Sequence, residues 1–348
     1  MPFSAADNSR YAIRGSLTPS EVEELRTVQT LDTLQFSEPV ESETLSLLND
    51  EFFPHRPDVT FRVFGHYSQP CDLKFLELIP NVRRFSADCL QTAENVEAIS
   101  GLPNLEALNV QVYDLKSFEF LADVSPNLTE LGLGDTKSKR PSIEHVGRFT
   151  KLVTFGNAGH LKGLEALANC QALERISLSG LSNPDLGCLA SLSNLWSLEV
   201  LLGGSEDMSK IRELERLKHL ELSWVKRLAD LSFLSDCVSL QKLTVNRLKQ
   251  VQRLPDLSKL ANLRALSLAV LKNLESVDEV ASAPALEWLG GDELGKLEPE
   301  EFQKVLSSQS LKCATVYFGS EKKNSAFDKL AELNGVSTEV GSVRFEYK

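Results

Sequence analysis

The sequence predicts an α/β solenoid, a stack of short parallel strands forming one curved sheet with its concave face free, tight turns or 3₁₀ segments on the convex side, and a cap at each end. Three observations predict it. An apolar signature, LxxLxL, recurs in eleven segments, most clearly at Leu105, Leu108, Val110; Leu128, Leu131, Leu133; Leu173, Ile176, Leu178; Leu195, Leu198, Val200; Leu217, Leu220, Leu222; Leu240, Leu243, Val245; and Leu263, Leu266, Leu268, with weaker copies starting at Val82, Leu152, Leu286 and Leu311. From Val82 to Leu286 the steps between first positions are 23, 23, 24, 21, 22, 22, 23, 23 and 23 residues, the regularity of a stacked repeat. Within each copy, apolar and polar residues alternate, as in Leu220, Glu221, Leu222, Ser223, which is a strand with one buried face. After the strand the apolar spacing changes to three, as in Leu222, Val225, Leu228, Leu231, Leu234, which suits 3₁₀ turns whose i and i+3 side chains eclipse.

One repeat cannot fold alone. Ordering its backbone costs about 1 to 2 kcal/mol per residue, whereas each of its few buried aliphatic side chains returns only about 1.5 to 3 kcal/mol. Stacking supplies the missing burial and pairs each strand with its neighbour. The end repeats would expose apolar faces and strand edges, so both ends need lids. Residues 1–58 are expected to form the front cap. Thr18, Pro19 and Glu21 spell a capping box with Pro at the first helical position, opening a helix to about Val28; Leu31, Leu34 and Phe36 read as an early strand, and a second helix is expected from Glu43 to Phe52. Residues 59–317 hold the repeats, about 11–12 units of 21–25 residues. Residues 318–348 are expected to form an α/β back cap, with Ser325 capping a helix through Leu333 that Gly335 stops, then two short β-like runs ending in VRFEYK.

These segments resemble the leucine-rich repeat family over residues 59–317, and the 22 to 23 residue period with its three-spaced return path is most similar to the bacterial, internalin-like class. The sequence departs from that family at one point. Where the family places Asn or Cys three residues after the third apolar position, this chain holds Tyr113, Thr136, Val225, Leu248 and Leu271. An Asn recurs instead just before the strand, at Asn81, Asn104, Asn127, Asn194 and Asn262, three times after Pro, which is turn chemistry and reads as structural. The resemblance implies a non-enzymatic module that presents its concave sheet to a protein partner.

With 42% apolar and 25% charged residues, the 348-residue chain has an ordinary core-forming composition. Its start lacks the apolar run of an export signal and no window is long enough for a transmembrane helix, so a cytoplasmic location is expected. The six cysteines, at 71, 89, 170, 188, 237 and 313, form no CxxC pair and have no His nearby to complete a metal set, so no metal and no cofactor are expected. Cys170 and Cys237 stand where other repeats carry Leu and read as small core hydrophobes in a reducing compartment. The net charge of −12 is uneven: residues 1–58 hold eleven Asp or Glu against four Arg, a balance of −7. Such a surface repels phosphate backbones and anionic lipid, which leaves nucleic acid and membranes out and favours a basic protein partner, with the free chain a monomer.

Outward side chains fall two, four and six residues past each first apolar position. From Glu130 to Ala158 they are small, which would admit another backbone closely; the competing account is that Gly and Ala fill a tightly curved sheet. Trp288 and Tyr317 are the candidate anchors, since desolvated aromatics dominate binding energies. Glu199, His219, Glu221 and Lys242 make the most varied polar patch, either a recognition spot or a solvated cross-strand charge ladder, and Arg175 is a further candidate partner contact on the same face. His219, Glu221 and Ser223 with Glu199 also define the alternative, a small-ligand or hydrolytic site. That alternative is disfavoured because residues i, i+2 and i+4 along one strand spread apart without an oxyanion-forming turn, and no catalytic residue is expected. Asn157 stands at an inward position and must be hydrogen-bonded there, marking a bend or packing irregularity. A sharper expectation is an immunity-type inhibitor that captures a basic toxin domain.

Overall fold

A strand whose alternate residues are leucine can hide one face only against a second layer, and the three-spaced leucines of the return path supply that layer in every repeat. The structure is a computed structural model describing residues 2–65, 69–138, 140–294, 297–339, 341 and 344–348, with Cys89 described through its backbone alone. It forms two compact units, Met1–Leu173 and Glu174–Lys348.

In the first unit the strands are β1 (Phe3–Ala5), β2 (Arg10–Ile13), β3 (Thr33–Phe36), β4 (Thr60–Phe64), β5 (Cys71–Asp72), β6 (Arg84–Leu90), β7 (Ala93–Glu94), β8 (Ala107–Val112), β9 (Glu130–Leu133) and β10 (Thr154–Ala158). β1 and β2 form an antiparallel hairpin, and from β2 onward the order β2-β3-β4-β6-β8-β9-β10 is parallel. β5 and β7 pair separately. The expected capping box is present: Thr18 and Glu21 bond each other's backbone at the start of α1 (Pro19–Thr27). Arg56 fastens the chain that leaves that helix by donating to the carbonyls of Val28 at 3.0 Å and Leu31 at 2.6 Å. The second helix is shorter than expected in α form, Ser42–Leu47 (α2), because its last turn, Leu48–Phe52, widens to π geometry and Phe53 N–H donates to Leu48.

The second unit holds β11 (Arg175–Ser179), β12 (Ser197–Leu201), β13 (His219–Ser223), β14 (Lys242–Asn246), β15 (Ala265–Ala269), β16 (Trp288–Asp292) and β17 (Cys313–Tyr317), all parallel and in one-to-one register. One residue per strand pairs with one on the next, so Ile176, Leu198, Leu220, Leu243, Leu266 and Leu289 form a single buried row. The return paths contain 3₁₀ segments as the three-residue spacing predicts, for example Leu186–Ser191, Ser209–Glu213 and Ser232–Asp236. Cys170 and Cys237 are buried, and burial pushes their thiols up to about 11 and about 12.

The missing Asn of the resemblance has a physical replacement. Immediately after each strand from β11 to β16 the chain takes one residue with positive φ: Gly180, Leu202 (53°), Trp224 (59°), Arg247 (55°), Val270 (52°) and Glu293 (47°). The N–H of each donates to the carbonyl of the last strand residue in the next repeat, as Leu202 to Ser223 at 2.9 Å and Trp224 to Asn246 at 2.9 Å. The turn is therefore made by backbone, and Val225, Leu248 and Leu271 are released to the core, each fully buried.

Beyond β17 the structure departs from expectation twice. The back helix, α3, runs Glu321–Leu333, so it opens four residues before Ser325. Asn324 Oδ1 accepts from Phe318 N–H at 2.9 Å and Phe302, Phe318 and Phe327 pack together, so tertiary contacts anchor its first turn where no serine side chain does. The two β-like runs reduce to one bridge, Cys313 with Ser337, and residues 344–348 are not a strand; Val340, Ser342 and Val343 of those runs lie outside the described residues.

A leucine held at positive φ costs about 1 to 2 kcal/mol relative to the right-handed region, against an entropy cost of about 0.5 to 1 kcal/mol for glycine. Leu202→Gly should therefore leave the free energy of urea unfolding unchanged or raise it by up to about 1 kcal/mol, with the midpoint moving accordingly, while Leu202→Ala, which keeps the Cβ, should not raise it. A lower midpoint for Gly than for Ala would show that the turn is not strained.

Candidate functional site

Register places the outward residues of the second unit in three rows. The first reads Arg175, Ser197, His219, Lys242, Ala265, Trp288 and Cys313; the second Ser177, Glu199, Glu221, Thr244, Ser267, Gly290 and Thr315; the third Ser179, Leu201, Ser223, Asn246, Ala269, Asp292 and Tyr317. Glu199 and Glu221 are thus direct neighbours in mid-face, flanked on the row above by His219 and Lys242. Arg175 sits at the start of the first row, exposed, beside Glu174 at 4.0 Å and the Trp196 ring at 6.0 Å.

Trp288 is on the face but does not project from it. A Cβ at Gly290 would stand 2.4 Å from the indole of Trp288, so the ring lies down over its own strand and Gly290 exists to receive it. Tyr317 is 56% exposed on β17 and remains available as an anchor. The structure brings Glu199, His219, Glu221 and Lys242 together, and leaves Trp288 and Tyr317 on strands farther along.

The alternative hydrolytic set does not assemble around one histidine. Ser223 Oγ donates to Glu221 Oε1 at 2.7 Å, while His219 Nδ1 pairs with the Ser197 hydroxyl at 2.9 Å. His219 Nε2 is buried without a partner. Desolvation first and the Lys242 ammonium second hold the imidazole below its ordinary pKa, against the opposing pull of Glu199 and Glu221. The shift favours the uncharged ring at neutral pH, and the ring sits against Tyr347 with centroids 6.0 Å apart and planes tilted by 49°.

In the first unit part of the expected opening is filled, at Gly132 and Gly134, whereas Gly156 keeps its space, with Gly132 Cα 3.9 Å from a Cβ placed there, in a cavity of about 340 Å³ that Arg84, Glu130 and Thr154 also line. A Cβ at Gly132 would meet Asn109 Oδ1 at 2.6 Å, and one at Gly134 would meet the Gln111 Cγ at 2.5 Å and Cα at 2.9 Å. The small residues accommodate side chains of the preceding strand. Arg84 reaches over Ala107 to Glu130 at 2.6 Å, placing an ion pair at the wall of that cavity. Asn157 is inward and buried; its amide donates to the His160 carbonyl at 2.7 Å and so fixes the turn after β10.

Sequence reasoning missed a second set of residues, one position before the face. Trp196, Lys218, Gln241 and Arg264 each immediately precede a strand, and each shares its carbonyl with two N–H groups of the next repeat. Residues 344–348 lie along them. The signal was the alternation in VRFEYK, read as a strand because nothing local in the sequence shows which side chains it meets. Among the described residues no helix is long and apolar enough to cross a membrane, and no three His, Cys, Asp or Glu side chains gather to hold a metal.

Strand-per-repeat register, buried leucine rows and 3₁₀ return paths define the leucine-rich-repeat fold. No family model matches the chain, and no curated protein matches it. Solved structures similar to it include an internalin of Listeria monocytogenes strain 4b F2365, 17% identical, covering 78% of this chain and 88% of that one with a TM-score of 0.48. A leucine-rich repeat protein of Leptospira interrogans is 18% identical and covers 92% of both chains, with a TM-score of 0.44. Internalin C2 of the same Listeria strain is 19% identical over 70% of this chain and 83% of its own, with a TM-score of 0.38.

Because the folded-state pKa of His219 is depressed, its contribution is complete above the unfolded value of about 6.5 and is lost as pH falls toward the folded one. The unaltered chain should lose stability between pH 7 and 5.5 more steeply than His219→Gln, measured by urea unfolding at each pH. Parallel pH profiles would show that the buried ring is not the group responsible.

Proposed function

We propose that the chain is a non-enzymatic protein-interaction module whose recognition surface is the strand face of the second unit, centred on Glu199 and Glu221. The observation that carries this reading is the adjacent carboxylate pair set by register in mid-face, with no oppositely charged side chain between them on their own row. Two like charges side by side on neighbouring strands destabilise the sheet locally, and a cationic group supplied from outside relieves the repulsion. Supporting it, the front 58 residues carry a balance of −7, which adds a long-range field attractive to a basic protein.

The sharper form is an immunity-type inhibitor, in which the captured partner is a basic toxin domain and the compartment is the reducing cytoplasm. The free, buried thiols of Cys71, Cys170, Cys237 and Cys313 fit that compartment.

The test is capture from the native host with the unaltered chain, Glu199→Lys/Glu221→Lys and Tyr317→Ala, identified by mass spectrometry and followed by affinity measurement with the recovered partner. The charge reversal should weaken binding at least tenfold, about 1.4 kcal/mol, and Tyr317→Ala should weaken it severalfold. A partner held equally by all three proteins would move the interface off this face. Co-expression with the recovered partner should protect cells if it is a toxin, and absence of protection would remove the inhibitor reading.

A further inference from the structure

The row Trp196, Lys218, Gln241 and Arg264 runs across four consecutive strands at their starting edge, and the segment 344–348 lies along it in an extended path. Its contacts separate by type. Lys218 Nζ donates to the Lys348 carbonyl at 2.6 Å, Gln241 Nε2 donates to the same carbonyl at 2.9 Å, and Gln241 Oε1 accepts the Lys348 N–H at 2.8 Å. Arg264 donates to the Glu346 carbonyl at 2.9 Å. These groups read main chain at alternate residues. The residues between present rings: Phe345 under the Arg264 guanidinium at 5.4 Å, and Tyr347 against Trp196 at 5.0 Å and His219 at 6.0 Å. The Glu346 side chain turns away to Arg344 at 2.9 Å, both exposed.

An amide that holds both the N–H and the C=O of one residue recognises a backbone whatever its side chain, as an edge strand does, and the ring sites then supply selectivity. The row is also larger than the segment that covers it. A groove of about 550 Å³ lined by Glu174, Trp196, Glu215, Lys218, Ser239 and Gln241 opens beside the same residues. Gln241 is only 8% exposed with the segment seated, although it is a polar residue at the edge of a sheet.

We propose that this row is a docking track for an extended peptide of another protein carrying two aromatic residues one apart, and that residues 344–348 occupy it in the free chain as a built-in competitor. The proposal rests on the reading that the second unit binds protein, and it names the chemistry of the bound segment: main-chain carbonyls for Lys218, Gln241 and Arg264, and an aromatic-x-aromatic pair for Arg264 and Trp196. A tethered segment competes at an effective concentration of about a millimolar, so the track answers only to peptides that bind well or once the segment is displaced.

The test uses the full chain and Phe345→Ala/Tyr347→Ala, titrated against a fluorescein-labelled, acetylated and amidated peptide RFEYK and followed by anisotropy, with RAEAK as the control. The double variant should bind RFEYK at least tenfold more tightly than the unaltered chain, and should bind RAEAK at least tenfold more weakly than RFEYK. Adding Gln241→Ala to the double variant should weaken RFEYK binding by about tenfold, with an unchanged urea midpoint confirming that the repeats remain folded. Equal affinity of the two proteins for RFEYK, or equal affinity of the double variant for both peptides, overturns the proposal. A full chain that elutes as a dimer and becomes monomeric in the double variant overturns the competitor in cis and assigns the segment to a second copy. These readouts are independent of the Glu199→Lys/Glu221→Lys capture, so the track can fail while the strand-face reading stands, and the converse.

Discussion

Parallel pairing in one-to-one register is the constraint from which the rest of the second unit follows, because each strand is short and has no stability apart from its neighbours. Register is enforced twice. Inside, Leu198, Leu220, Leu243 and Leu266 stack as one buried row, so a slip by one residue would turn every leucine into solvent. At the strand ends, a residue of positive φ passes its N–H forward to the next repeat, locking the C-terminal edge at Leu202, Trp224, Arg247 and Val270. The opposite edge is locked by the carbonyls of Trp196, Lys218, Gln241 and Arg264, each taking two N–H donors from the following repeat. Between those two edges the outward side chains are placed with little freedom, which is why Glu199 and Glu221 must face each other.

The same constraint distributes chemistry among three zones. The mid-face is acidic, with a neutral histidine set beside it; the starting edge offers donors to main chain; the far edge exposes Leu202 and Trp224 at a strained turn, with Arg247 stacked 4.6 Å above the Trp224 ring. Only the first of these zones was built from residues that the strand pattern itself points outward. In the first unit the corresponding face is partly occupied by its own side chains, Arg84 with Glu130 and Asn109 and Gln111 over Gly132 and Gly134.

How much of this is legible in the sequence depends on the range of the interaction involved. Strand positions and buried leucines follow from a period of two and a fixed interval, both local, and the capping box at Thr18 and Glu21 is a four-residue pattern; all are present as read. The positive-φ turns are not legible, because Leu, Trp and Val are residues whose own preferences argue against that conformation, and only the neighbouring repeat makes it worthwhile. Trp288 was legible as an outward residue, but not as a ring lying on Gly290, since rotamer choice depends on the absence of a Cβ two residues on. The contacts of Phe345 and Tyr347 were invisible for a different reason: they join residues more than eighty positions apart, and VRFEYK carries the same alternation whether it pairs as a strand or crosses a row of side chains.

The most direct measurement is a distance across the second unit. Nitroxides placed on Ser177 and Thr315, through a label that does not use cysteine because Cys188 is partly exposed, sit on the same row six strand steps apart, from β11 to β17. At about 4.8 Å per step, double electron–electron resonance should return one narrow distribution at or somewhat below about 29 Å. A broad distribution, or one centred well beyond 40 Å, would contradict the register on which the acidic pair, the docking track and the strained turns all rest.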